Sequence, residues 1–176
     1  MAVPIEIDVW QGEIGELEVD AIIVPANESL FMTGAVSAGL KRRGGEQIEQ
    51  AAVAQGPVPV GSAVVTVGGA LAALFVIHAV AVGHDLRADS DRLRSALRAA
   101  LALTDELQLR RVALAPLGTD HGAFSPRDAA TLMLDELTGE AAQVRGHPAE
   151  VVLVATRPAE LSAFRAALDA MRARAG

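Results

Sequence analysis

The length, composition and charge of the chain exclude several classes of protein. Its 176 residues fit one domain, which we expect to span residues 1–176, and an apolar fraction of 51% is ample for a core. With a net charge of −7 and no cysteine, the chain offers neither a broad basic surface for nucleic acid nor disulfide, thiolate or zinc–thiolate chemistry.

The amino terminus and the longest apolar run both bear on localisation. The first residues carry acids where a signal peptide needs positive charge. The longest apolar run, residues 70–82, contains His78 and is shorter than the roughly 20 residues of a membrane span. We therefore expect a soluble, cytoplasmic protein that makes no membrane contact.

The first third of the chain predicts two strands and two helices. Residues 3–9 alternate between apolar and polar side chains, which is typical of a strand with one solvated face. Residues 19–25 are apolar on both faces and predict a buried strand. Two short helices, at 36–43 and 46–54, are separated by a glycine pair.

The middle of the chain predicts a pair of strands and a long helix. The strands lie at 63–67 and 75–82 and are joined by a glycine-containing turn. Asp89 and Asp91 supply oxygens that can cap the helix that follows. Its apolar residues recur every three or four positions, which predicts that one face packs on the sheet.

The last third continues the alternation of strands and helices. A buried strand is predicted at 111–116, and Ser125 followed by proline predicts the start of a helix that reaches about residue 142. The last strand is predicted at 150–156, and Pro158 opens a final helix. This alternation is typical of an α/β sheet with parallel segments, covered by helices on both faces.

Two loops that follow predicted strands have an amino-acid composition that is compatible with ligand binding. The first loop, residues 27–36, carries Asn27 and a run of small residues; the second loop is residues 117–124. Small residues let backbone N–H groups approach a ligand, and a helix that begins behind each loop adds partial positive charge. Together the loops predict a cradle for a diphosphate. Either loop alone is also compatible with a plain turn, and Asn27 alone with a turn-forming amide.

The order of these motifs resembles the macro domain family, of the ADP-ribose-binding, Appr-1''-p processing type. The resemblance runs from about residue 9 to residue 156. The residues that carry it are Gly12-Glu13-Ile14, Val19 to Asn27, Thr33-Gly34-Ala35-Val36, residues 56–63, Val76-Ile77-His78 and residues 116–122. It implies a three-layer α/β/α sandwich with a mixed, largely parallel central sheet.

The resemblance also implies roles for individual residues. Glu13 would accept a hydrogen bond from the adenine amino group, and Ile14 would offer its backbone N–H to the base. Asn27 would contact the distal ribose. The residues that would surround the diphosphate are Thr33, Gly34, Ala35, Val36, Gly118, Thr119, Asp120, His121, Gly122 and Ala123. Phe124 would close over the distal ribose.

Several positions depart from the family's pattern and leave three functions open. The leading hypothesis is binding of ADP-ribose or a derivative, free or attached to a protein, without cofactor or metal. A second is hydrolysis of ADP-ribosyl or O-acetyl-ADP-ribose esters, in which Asn27 would position water. Ser37 stands where hydrolytic members often have Asp, which favours binding. Asp120, Thr33 and Ala35 replace residues that are often Gly. They motivate the third hypothesis, a degenerate domain that binds another nucleotide or acts as a scaffold.

Each of the four histidines of the chain has a structural interpretation or a functional one, and some have both. His78 lies inside an apolar strand, which favours a hydrogen-bonded structural role. His84 is followed by Asp85, but no second ligand pair supports a metal site. His121, in the second loop, is compatible with a phosphate contact, a general acid or a solvent-exposed side chain. His147 is expected in a surface loop.

Overall fold

The fold is built on one mixed sheet. A computed structural model of the chain describes residues 4–120, 123–139, 142 and 145–176. The strands in these residues are β1 (Glu6–Gln11), β2 (Ala21–Asn27), β3 (Ala63–Val67), β4 (Phe75–Val82), β5 (Arg111–Leu114) and β6 (Glu150–Ala155). Their order across the sheet is β1-β6-β5-β2-β4-β3. All neighbouring pairs are parallel except β3 and β4, which are antiparallel.

Helices cover both faces of this sheet and complete three layers. Those in the described residues are α1 (Ala35–Gly44), α2 (Gln47–Val53), α3 (Ser90–Glu106), α4 (Pro126–Thr138) and α5 (Pro158–Ala175). Leu40 of α1 and Ile48 of α2 pack on one face of the sheet. The other face is covered by α3, α4 and α5, which contribute Leu97, Met133 and Phe164. The predicted three-layer sandwich with a mixed, largely parallel sheet is confirmed.

Strand β2 explains why its sequence is apolar at consecutive positions. Ile22 and Val24 point into the cluster beneath α1 and α2, whereas Ile23 points into the cluster beneath α3, α4 and α5. All three side chains are fully buried. A central parallel strand with helices on both faces needs apolar residues on both of its faces. Burial of each such side chain contributes about 1.5–3 kcal/mol.

Element boundaries agree with the sequence where a clear local signal exists. Asp89 caps α3 by accepting a hydrogen bond from the Arg92 N–H at 2.9 Å, and Ser125 caps α4 by accepting from the Asp128 N–H at 3.1 Å. Other boundaries shifted. Strand β1 covers Glu6–Gln11, two residues beyond the predicted end at residue 9, and β5 ends at Leu114. Residue 3, the predicted start of β1, lies outside the described residues. Helix α4 ends at Thr138 rather than near residue 142, because its C-cap residue, Gly139, is extended.

Candidate functional site

Four chain segments leave the sheet at the edge where the parallel strands have their carboxyl ends. Residues 12–14 follow β1, the first loop continues from the end of β2, the second loop follows β5, and Thr156 follows β6. Ligands of open α/β sheets bind in the crevice beyond this edge. The fold therefore collects at one edge the segments that the sequence identified separately.

Asn27 ends β2, and its side chain organises the first loop. Its Oδ1 accepts hydrogen bonds from the Ser29 N–H at 3.1 Å and from the Ser29 hydroxyl at 2.7 Å. Its Nδ2 donates to the Phe31 carbonyl at 3.4 Å. These bonds form an Asx turn, the local use of asparagine that competes with ligand contact. The turn-forming interpretation is thus observed, whereas the contact with a distal ribose stays a prediction.

The amino terminus of α1 presents backbone amides behind the first loop. Gly34 is its N-cap residue, with φ −64° and ψ 157°, and its carbonyl accepts the helix's first hydrogen bond, from Ala38 at 2.8 Å. The first turn of α1 contains no acidic side chain, and no side-chain hydrogen bond caps it within the described residues. The amides at the start of a helix lack intrahelical acceptors and carry about half a positive charge. This helix end is therefore suited to an anion.

Ser37, in the first turn of α1, is directed into the fold. Its side chain is buried, and its hydroxyl donates to the Pro25 carbonyl at 3.2 Å. A hydroxyl engaged in this way supplies no base to the crevice.

The second loop turns on Gly118 and is closed by Phe124. Gly118 has φ +80°, a left-handed conformation that favours glycine, and a Cβ there would lie 2.8 Å from the Phe124 ring. The Phe124 N–H donates to the Gly118 carbonyl at 3.0 Å. The half-buried Phe124 ring packs against the cluster beneath α3, so its predicted closure over a ribose stays a prediction. His121 and Gly122, two predicted site residues, lie outside the described residues.

The two loops face each other at the amino terminus of α1. A Cβ built on Gly34 would lie 3.2 Å from Oδ2 of Asp120. The Asp120 carboxylate thus points toward the first loop and toward the positive end of α1, a position that favours negative charge. Thr119 is half-buried beside it, and Ala123 is exposed. An anionic ligand at this helix end would meet a carboxylate already present.

A cavity of about 460 Å³ opens beside the end of the first loop and along α1. One wall of the cavity is formed by residues 13–15 and a second by α1, and Thr156 completes the lining. Its volume lies within the range of about 300–1,000 Å³ typical of small-molecule sites. Ile14 is buried, whereas the Glu13 side chain is exposed and lies 3.9 Å from the Arg43 guanidinium. The indole ring of Trp10 packs against Gly12, where a Cβ would overlap the ring.

Three side chains at this edge were missed by sequence reasoning. Arg42 and Arg43 line the cavity from the end of α1. Val36, Leu40 and Arg43 are spaced by four and three residues, which places all three on one face of the helix. This spacing is a signal in the sequence that could have identified Arg43. Glu49 of α2 accepts hydrogen bonds from the Met32 N–H at 2.7 Å and from the Lys41 ammonium at 3.1 Å, which anchors the first loop.

The electrostatics of Glu49 favour this anchoring role. Burial raises the pKa of its carboxyl, but the hydrogen bonds from the Met32 N–H and from Lys41 outweigh burial, and the pKa lies below its usual value. Glu49 therefore stays ionised at neutral pH. Sequence reasoning could not find it, because 17 positions separate it from Met32.

The other titratable candidates are engaged in the fold. His78 is buried, its Nε2 lies 3.0 Å from the Thr66 hydroxyl, and burial lowers its pKa to about 4. The backbone N–H of His84 donates to the Glu28 carboxylate at 2.9 Å, and the Asp85 carboxylate pairs with the Arg92 guanidinium at 3.0 Å. The described residues bring together no group of three or more His, Cys, Asp or Glu side chains that could hold a metal ion. Among these residues, none of the helices is both long and apolar enough to span a membrane.

Comparisons with known proteins bear on this arrangement. The family model of the Macro domain matches residues 23–133. An uncharacterized protein of Aquifex aeolicus is 41% identical over 133 residues, which cover 75% of this chain and 81% of that protein. A macro domain-containing protein of Cupriavidus necator is 38% identical over 131 residues, 70% of this chain and 75% of that protein. A Mycobacterium tuberculosis relative, 36% identical, is longer, and the match spans 36% of it.

Solved structures share the fold at lower identity. The Trypanosoma brucei macrodomain in complex with ADP-ribose superposes with a TM-score of 0.84 at 21% identity, covering 93% of this chain and 69% of that one. The Oceanobacillus iheyensis macrodomain with ADP has a TM-score of 0.80 at 20% identity, covering 94% and 91%. At such identities the likeness establishes the fold alone.

Proposed function

Because the chain belongs to the macro domain family, we propose that the crevice between its two loops binds ADP-ribose or a derivative, free or attached to a protein. One observation carries the proposal. The first and second loops meet at the amino terminus of α1, where Gly34 faces Asp120 and no side chain of the described residues caps the helix. A nucleoside-sized cavity opens along α1 from this point. A helix start and small-residue loops supply the amides that a diphosphate needs.

The diphosphate lies between the loops in this proposal. Residues 33–36 and 118–123 supply backbone N–H groups to its oxygens. The adenosine half occupies the cavity, where Glu13 accepts from the adenine amino group and the Ile14 N–H reaches the ring. The distal ribose lies toward Asn27 and Phe124. The ADP-ribose bound to the trypanosomal macrodomain, which shares the fold, supports this class of ligand.

Binding without hydrolysis is favoured by the partners of two side chains. The Ser37 hydroxyl donates to Pro25, and the Asn27 oxygen is engaged by Ser29. Neither side chain is free to activate water. The protein therefore acts as a binding module.

Isothermal titration calorimetry tests the proposed ligand. ADP-ribose should bind more tightly than AMP, which lacks the second phosphate and the distal ribose, and free ribose should give no heat. An absence of heat with ADP-ribose at millimolar concentration would overturn the proposal, and tighter binding of AMP would point to another nucleotide.

Turnover assays separate a binding module from a hydrolase. We expect no product from O-acetyl-ADP-ribose or from an ADP-ribosylated protein. Product formation that Asn27→Ala abolishes would establish the hydrolase instead, with Asn27 in its mechanism. Product formation that survives this substitution would establish a hydrolase that works without Asn27.

A further inference from the structure

Arg43 occupies an unusual position at the end of the cavity farthest from the two loops. It lies in the last turn of α1, and its stem crosses directly over Gly15. A Cβ on Gly15 would lie 2.9 Å from the Arg43 Cδ, closer than side chains approach each other. The missing side chain at Gly15 therefore leaves room for the Arg43 stem to pack against this wall.

Two carboxylates flank the Arg43 guanidinium. Its Nη1 lies 3.9 Å from Oε2 of Glu13 and 3.7 Å from Oε1 of Glu16. Pairs this long and this exposed contribute little to stability. The Arg43 side chain is 48% exposed, so its guanidinium is accessible to a ligand. Arg43 forms part of the cavity wall together with Ile14 and Thr156.

Apart from Arg42, whose guanidinium lies near Gly39, and Arg43, whose stem lies on the Gly15 wall, the described lining of the cavity offers no planar partner for a base. None of the described residues that line it is aromatic. Nucleotide sites usually stack the base on an aromatic ring or on an arginine guanidinium, whose plane attracts a π-system. Arginine is the one lining residue type that offers such a plane together with a charge.

The distance along α1 suits a nucleoside. Eight residues separate Ala35, at the helix start, from Arg43, which corresponds to about 12 Å at 1.5 Å per residue. A diphosphate at the start of the helix would thus place its attached base near the Arg43 side chain.

We propose that Arg43 is the stacking platform for the base of the bound nucleotide and sets the preference of the site for ligands that carry a base. This inference rests on the proposed function and deepens it. Stacking is distinct from the hydrogen bond assigned to Glu13, because stacking acts on the face of any purine, whereas Glu13 reads the adenine amino group.

Three ligands separate these contributions. ADP-ribose carries the base and its amino group, inosine diphosphate ribose carries a base without the amino group, and ribose 5-diphosphate carries neither. Arg43→Ala should weaken the first two by about tenfold each, the usual effect of losing one stacking partner, and leave the third within about twofold. Glu13→Ala should lower the affinity for ADP-ribose and leave the affinity for inosine diphosphate ribose unchanged.

Charge and plane are separated by a matched pair of conservative variants. Arg43→Lys keeps the charge and the stem but loses the plane, so it should still weaken both base-carrying ligands. Arg165→Lys makes the same change at an exposed position of α5, outside the residues that line the cavity, and should leave all three affinities unchanged. Thermal unfolding of each variant establishes that it folds.

The outcomes distinguish the inference from the function on which it rests. If the wild-type chain binds none of the three ligands, both fall together. If it binds ADP-ribose normally and Arg43→Ala and Arg43→Lys bind it equally well, the platform is overturned and the proposed function stands. An equal loss for ribose 5-diphosphate would assign Arg43 to phosphate and overturn stacking.

Discussion

The two edges of the sheet use their polar groups in opposite ways. At the amino ends of the strands, Asp20 accepts hydrogen bonds from the N–H groups of Arg110 and Arg111 at 2.8 and 2.9 Å. Glu150 lies 3.4 Å from the Arg111 guanidinium, which also donates to the Glu18 carbonyl at 3.0 Å. These groups tie β2, β5 and β6 together, although a cavity of about 500 Å³ lies among them.

At the carboxyl ends, the polar groups are arranged around a helix start instead. Within the described residues, the first turn of α1 has neither a side-chain cap nor an acid of its own, and the nearby Asp120 belongs to another loop. Cavity volume alone therefore does not identify the site, since both edges have a cavity of similar size. What distinguishes the edges is whether the polar groups are already satisfied by the fold.

The largest expected effect is on stability, at the amino edge. Asp20→Ala removes the acceptor of two backbone N–H groups and should lower the free energy of unfolding by about 2–3 kcal/mol. The affinity for ADP-ribose should stay within about twofold, because the change lies at the opposite edge. Urea denaturation and calorimetry measure the two quantities. Glu18→Ala, an exposed side chain at the same edge, is the control and should be nearly neutral.

The next effect concerns pH and lies in the sheet between the two edges. Burial lowers the pKa of His78 from 6.5 to about 4, so the unfolded chain binds more protons at this residue between these values. Stability should fall as the pH drops below 6.5, by up to about 1.4 kcal/mol per pH unit, or about 2 kcal/mol at pH 5.

Urea denaturation at pH 7 and pH 5 measures this contribution. His78→Gln should reduce the stability at pH 7 and remove this part of the pH dependence. An unchanged difference between the two pH values in the variant would contradict the assignment.

A smaller effect is expected at the carboxyl edge, and it has opposite signs for binding and for stability. Asp120→Asn keeps the shape of the side chain but removes the carboxylate that faces Gly34. The affinity for ADP-ribose should rise by about tenfold, or about 1.4 kcal/mol, because a like charge leaves the diphosphate position. Stability should fall by about 0.3–1 kcal/mol, since a favourable contact with the start of α1 is lost.

A matched charge change elsewhere controls for net charge. Asp128→Asn alters an exposed acid in the first turn of α4 and should leave the affinity for ADP-ribose unchanged. Equal gains in both variants would attribute the effect to the overall charge of −7 rather than to Asp120.

The smallest expected effect lies in the anchoring of the first loop. Glu49→Gln keeps an oxygen acceptor for the Met32 N–H but loses the charge that pairs with Lys41. Affinity for ADP-ribose should fall by about two- to fivefold, with little change in stability. Because the pKa of Glu49 is lowered, its contribution is present at neutral pH and is lost as the pH falls through that lowered value. Calorimetry from neutral to acidic pH should show that the affinity for ADP-ribose depends less on pH in the variant than in the wild type.

The sequence predicted the fold wherever a signal was local. The strands at 63–67 and 75–82 have the predicted bounds, and Asp89 and Ser125 cap helices as expected. Buried apolar runs and capping oxygens act over a few residues, so a single sequence contains them. The end of α4 was predicted too late, because the stop signal at its C-cap residue, Gly139, was passed over.

The site was predictable only in part, because its contacts join distant segments. The two predicted loops face each other at Gly34 and Asp120, whereas the binding roles of Asn27 and of the loop residues stay predictions. The Asx turn of Asn27, the anchoring by Glu49 and the approach of Arg43 to Gly15 were not found. Each depends on a side-chain direction or on a long-range contact, which composition and spacing do not encode.

Trp10 gives the protein a natural optical reporter. It is the only tryptophan of the chain, and its ring packs on Gly12, immediately before the segment that walls the cavity. A ligand that shifts Glu13 and Ile14 will alter the surroundings of this one indole and hence its emission. We therefore expect occupancy of the cavity to change the intrinsic fluorescence, which can be followed in stopped flow as well as at equilibrium without attaching a dye.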